Sequence, residues 1–184
     1  MTNGVTSVNR PGVRRPDGCP YIRIMQVRRQ QLSLEQALQK ARHYCAYQER
    51  CHSEVKEKLY GFGLRRQAVE EALSRLIEEN YLNEERFAIQ FAGGRFRMKQ
   101  WGRIRIRYEL KQKQVGDYCI KKALASIPEE DYARTLSRLA ESKWSDLEKE
   151  EPYVRRQKLQ TYLIQKGYEM DSIQNALTEI KEKG

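Results

Sequence analysis

A repeat with a period of roughly 50 residues constrains this chain more than any other feature. Leu59, Leu110 and Leu163 serve as anchors. One helical turn before them stand Val55, Ile106 and Leu159, on the same face. Ten residues after them come Val69, Ile120 and Ile173, and then the pairs Ala72-Leu73, Ala123-Leu124 and Ala176-Leu177. Four residues after the anchors stand Gly63, Gln114 and Gly167, where a helix stop wants the left-handed region. Ala37 and Ala88 each open a helix 22 residues before their anchor; the third counterpart, Ala133, lies 30 before Leu163. The third unit is therefore expected to hold a loop longer by eight.

Each unit reads as helix, turn, helix, stop, helix. The expected helices are 33–47, 52–61 and 67–79, then 84–98, 103–113 and 117–126, then 129–143, 153–165 and 170–181. Ser33 with Gln36 has capping-box form. Asn83 followed by Glu84 and Glu85 suits a second start, and Pro128 followed by Glu129, Glu130 and Asp131 a third. Three short helices bury little surface alone. The units are therefore expected to stack, giving an all-α fold of three tandem three-helix repeats in an elongated, curved array. The expected division is a flexible basic arm over 1–31 and units over 32–82, 83–127 and 128–184. In the arm, Tyr21 to Met25 alternates weakly enough to suggest a short extended piece.

The net charge of +10 is unevenly placed. Residues 95–113 carry eight Lys or Arg against one Glu, and the arm carries six Arg against one Asp. Such concentration points to a polyanion or an acidic protein groove as partner. On the helix from Arg103, residues 103, 107 and 111 follow at four-residue steps, about 60 degrees or more away from Ile106 and Leu110. The candidate binding residues are accordingly Arg95, Arg97, Lys99, Arg103, Arg107 and Lys111. The same columns in the outer units supply auxiliary candidates: His52 and Lys56 in the first, and Arg156 in the third. Phe96 and Trp101 are expected to pack; Tyr108 stays open between packing and base stacking.

No catalytic constellation appears, so a non-enzyme is expected. Gly93-Gly94 lacks the Lys-Ser/Thr of a phosphate-binding loop. His43, Cys45, Cys51 and His52 match no zinc spacing, and neither metal nor cofactor is expected. The acidic stretch from Asp146 to Glu151 reads as a solvated loop. Cys51 opens a helix, where a dipole activates a thiol, but an ordinary surface thiol is the simpler expectation. Cys19, Cys45, Cys51 and Cys119 show no framework spacing. With no apolar core in MTNGVTSVNRPGVRRP and no apolar run near the ~18 residues of a membrane span, a cytoplasmic chain with free thiols is expected.

Tyr81-Leu82-Asn83-Glu84-Glu85-Arg86-Phe87-Ala88 and the stretch from Gly102 to Lys113 resemble the RecX family of recombinase regulators. Glu49-Arg50-Cys51 through Leu59 and Gly61 resembles that family's first unit. The resemblance covers residues 33–181. It departs at Cys51, where the family often has Ser, at Arg103, where Pro is frequent, and at Gln114, where Gly is common. It implies a non-enzymatic monomer that binds the RecA nucleoprotein filament, protein and single-stranded DNA together. Family members lie in the filament's helical groove and restrain recombination, ATP hydrolysis and coprotease activity in DNA repair and the SOS response. Direct DNA binding by a general helical-repeat module is the alternative that the basic row itself supports.

Overall fold

The computed structural model describes residues 31–183, with side chains through Ile180. The basic arm over 1–31, Cys19 and the Tyr21 to Met25 piece lie outside the described residues, apart from Gln31. Every element within them is a helix: α1 (Leu34–Tyr47), α2 (His52–Gly61), α3 (Arg66–Glu78), α4 (Glu84–Lys99), α5 (Arg103–Gln112), α6 (Asp117–Ala125), α7 (Glu129–Asp146), α8 (Pro152–Lys166) and α9 (Met170–Lys183). They pack in consecutive threes. The expected starts hold because their caps form. Ser33 and Gln36 close a capping box, and the Asn83 side chain accepts the Arg86 N–H at 2.9 Å.

The third unit differs from expectation. Its additional residues mostly lengthen α7 to Asp146 and bring the start of α8 forward to Pro152, leaving 147–151 as the connection. Trp144 and Arg155 explain why: the guanidinium lies 3.9 Å from the indole centre and donates to the Trp144 carbonyl, joining the two longer helix ends.

The repeated apolar columns are interior with one exception: Ala133, the third counterpart of buried Ala37 and Ala88, is exposed, and the neighbouring Tyr132 takes the inward position on α7 instead. Val55, Ile106 and Leu159 are fully buried, as are Leu59, Leu110 and Leu163. They do not, however, divide into three equal cores. The first unit has its own, from Ala37 to Leu82. The second and third share one, through a stack of Phe96 on Tyr132 (5.8 Å between ring centres) and of Tyr132 on Tyr168 (5.1 Å). Cys51 belongs to this second core and is fully buried, so it is not the surface thiol the sequence suggests. It opens α2 at the joint between units, which the repeat within a unit does not reveal. Cys45 is also buried, and burial pushes its thiol up to about 11.

The middle helices of the units meet end to end. The Gly102 N–H donates to the Lys166 carbonyl at 2.9 Å and the Ile104 N–H to the Gly167 carbonyl at 3.0 Å. Two orphan donors of the first turn of α5 thus find partners on the last turn of α8. One unit earlier, the equivalent carbonyl of Lys113 accepts the Ser53 hydroxyl at 2.9 Å. One unit earlier still, the Phe62 carbonyl accepts the Leu32 N–H at 3.1 Å. The three stops that follow these carbonyls are all left-handed: Gly63 at φ 84°, Gln114 at φ 61° and Gly167 at φ 88°.

The joint between the first and second units is more polar. Lys113 pairs with Glu54, Arg86 with Glu49, and His52 lies 3.7 Å from Glu84. Glu49 Oε2 and Arg50 Nε are buried there without hydrogen-bond partners, a cost absent from the aromatic joint between the second and third units.

Candidate partner-binding face

α5 is held from both sides before any of it faces solvent. Ile106 and Leu110 enter the core. Arg103 turns towards α7: its guanidinium stands 4.2 Å from the Tyr132 ring centre and 2.7 Å from Glu129 Oε2. Its backbone N–H donates to the Tyr132 hydroxyl, which donates in turn to Glu169 at 2.6 Å. The hydrogen bond to Glu129 raises the Arg103 pKa and holds the Glu129 carboxyl below its usual value. On the other side, Arg105 stacks on Trp101 at 4.3 Å and donates to the Gln165 carbonyl at 2.9 Å.

What remains open, besides Gln112 at the helix end, is a stripe of four residues: Ile104, Arg107, Tyr108 and Lys111. Their spacing of three and four places them within about 100° of arc. Ile104 is 54% exposed and Tyr108 61%, so the two bring apolar area to solvent beside the cations. Among the described residues Arg107 has no ion pair or hydrogen bond, and Lys111 has only a 3.4 Å contact with exposed Asp117. Alternating cations and apolar groups can hold a phosphate or carboxylate while shielding an aromatic or aliphatic contact. No cluster of three or more His, Cys, Asp or Glu suited to a metal occurs among the described residues.

The other sequence candidates scatter. Arg95 is half-buried between Phe91 (4.9 Å) and Trp101 (5.2 Å). Trp101 is thus a packing residue held between two guanidinium groups, and Phe96 is core. Arg97 is exposed and lines clefts beside α7. Lys99 is exposed at the end of α4, where its carbonyl accepts Lys166 Nζ. Lys56 pairs with Glu70 at 2.7 Å and Arg156 reaches Gln174 at 3.4 Å. The structure therefore brings Arg107 and Lys111 together on one face, turns Arg103 inward, and adds Ile104 and Tyr108. The added pair shares a sequence signal: both are large apolar residues outside the repeated columns. Arg105 has none, because its partner is a carbonyl of the next unit.

Residues 83–124 match the second three-helix domain of RecX and residues 129–177 the third. Regulatory protein RecX of Prosthecochloris aestuarii is 33% identical over 144 residues, which cover 78% of this chain and 93% of that protein. The chain belongs to the RecX family. RecX of Bacillus cytotoxicus is 31% identical over 82% of this chain, which spans 56% of that longer relative. The crystal structure of RecX from Lactobacillus salivarius superposes with a TM-score of 0.75 at 21% identity, over 80% of this chain and 96% of that one. A second RecX crystal structure gives 0.71 at 24%, over 77% and 70%. At these identities the two structures speak for a common RecX fold. The α5 face falls within the second RecX domain, and the residues that turn Arg103 inward belong to the third.

Proposed function

We propose that this chain is a cytoplasmic, non-enzymatic regulator of RecA that binds the nucleoprotein filament in its groove and lowers recombinase, ATPase and coprotease activity. Membership of a family of regulatory proteins supports the regulatory part. The α5 face supports the binding part: Arg107, without a carboxylate partner among the described residues, and Lys111, with only the 3.4 Å contact to Asp117, stand beside exposed Ile104 and Tyr108. A filament offers both acidic protein and DNA phosphate to such a face. Long-range attraction would steer the approach, and Ile104 and Tyr108 would add contact area that salt does not screen. The deciding experiment is DNA-dependent ATP hydrolysis by RecA on single-stranded DNA, with the purified chain added at two salt concentrations. Suppression at near-stoichiometric amounts supports the reading; an untouched rate at low salt removes it.

Tyr108 favours a second reading, direct binding to bare nucleic acid. An exposed ring flanked by Arg107 and Lys111 is the pattern on which unpaired bases stack. If the α5 face serves only bare DNA, changing it abolishes DNA binding and leaves the effect on RecA whole.

A further inference from the structure

A second cationic surface lies between α4 and α7. Arg97, Arg134 and Arg138 line one cleft of about 290 Å³ with Gln100, Thr135 and Asp131, over buried Phe96. None of the four α5-face residues lines it. Arg134 and Arg138 are one turn apart on α7, hence on one side of that helix. Among the described residues, Arg97 and Arg138 have no carboxylate partner, and Arg134 has only Asp131 at 3.4 Å. That is unlike Arg42, Arg75, Arg86 and Arg103, each of which is paired at 2.7 Å or less.

The cleft is also built rather than incidental. Phe96 stacks on Tyr132, so the backbone of Arg97 is fixed relative to Asp131 and Arg134 by a buried aromatic pair. Gly93 leaves the room that the Arg97 side chain fills: a β-carbon there would stand 2.9 Å from Arg97 Nη1. Arg97 thereby lies at the seam with a larger cleft of about 920 Å³, which shares Phe96, Arg97 and Asp131. Two connected open clefts form a track, not a closed cup. In the far cleft Arg86 is taken up by Glu49, and Glu85 by Lys122, so the cations without a close carboxylate partner lie at the arginine end.

We infer that Arg97, Arg134 and Arg138 bind the phosphodiester backbone of single-stranded nucleic acid, about two phosphates long, at a site separate from the α5 face. Guanidinium forks match phosphate oxygens two at a time, and neutral Gln100 and Thr135 supply further hydrogen bonds without competing charge. An acidic protein segment is the rival occupant.

The test uses the full chain and a fluorescent oligothymidylate, with anisotropy read across a salt series. The Arg134→Ala, Arg138→Ala double variant is expected to lose about tenfold in affinity and about 1.4 in the slope of log affinity against log salt. Asp131→Asn is expected to gain about two- to threefold, by removing the one carboxylate from the arginine cleft. Gly93→Ala moves the Arg97 guanidinium without changing charge and is expected to weaken binding about threefold. Unchanged affinity and slope in the double variant overturn the inference. So does loss of binding to polyglutamate alone, with oligothymidylate binding intact, which would assign the cleft to an acidic protein.

Discussion

Gly102 packs backbone to backbone on Gly167: a β-carbon built on Gly102 would stand 2.1 Å from the Gly167 carbonyl oxygen. The two residues come from different units, and the hydrogen bonds of Gly102 and Ile104 to the end of α8 pass through this contact. Gly102→Ala is therefore expected to force the second and third units apart. Overpacking of this kind costs about 1–3 kcal/mol. Urea unfolding followed by circular dichroism measures it. A wild-type midpoint in the variant would show that the joint yields without cost.

Gln114 occupies the left-handed stop that glycine fills in the other two units. A residue with a side chain is strained there by about 1–2 kcal/mol, while a glycine adds entropy to the unfolded chain worth about 0.5–1 kcal/mol. Gln114→Gly is expected to stabilise the protein by the difference, about 0.5 kcal/mol, seen as a higher urea midpoint at unchanged slope.

Arg103 holds Glu129 and covers Tyr132, so its removal acts on the fold. Arg103→Ala is expected to cost about 1 kcal/mol through the lost ring contact and exposed ion pair. The pH dependence follows from Glu129, whose folded pKa is depressed by the Arg103 hydrogen bond. Its contribution is full above the ordinary carboxylate value near about 4.3 and is lost as pH falls through the depressed value. Acid titration of stability should show a shallower slope in Arg103→Ala than in the wild type.

On the α5 face the balance reverses. Arg107→Glu with Tyr108→Ala touches no buried group and is expected to leave stability within about 0.5 kcal/mol of wild type. The same double change is expected to relieve most of the suppression of RecA ATP hydrolysis at low salt. Full suppression by the folded variant would move the filament contact elsewhere.

Cys45 predicts an alkaline limit. Its thiol is pushed up to about 11 by burial, whereas in the unfolded chain it ionises near about 8.5. A raised acid favours the folded state fully below the unfolded value, and that advantage is lost as pH rises towards the folded one. Stability should decline between those values, with a flatter decline in Cys45→Ala. Tyr132 and Tyr168, both raised chiefly by burial, act in the same direction at higher pH.

The repeat was legible because burial leaves a periodic trace. Val55, Ile106 and Leu159 recur at one offset, and all three are interior. The caps at Ser33 and Asn83 were legible because their partners lie three residues away. What lies between units left no such trace. The inward turn of Arg103 depends on Glu129 and Tyr132, and the packing of Gly102 depends on a carbonyl 65 residues further along the chain. Four-residue spacing correctly put Arg103 and Arg107 on adjacent turns, but it could not show that a neighbouring helix covers only the first. Tyr108 looked ambiguous for the same reason: its column is outward in its own unit, and only the placement of α7 and α8 shows that no other unit covers it.

Phe62 gives the N-terminal end of the molecule a definite character. Its carbonyl is the socket by which, further along, one module grips the next, yet here the plug is the Leu32 N–H of the same chain. A fourth module or a second molecule arriving at that end would find the socket already filled. Within the described residues the first module thus closes its own joint, where the other two depend on a neighbour.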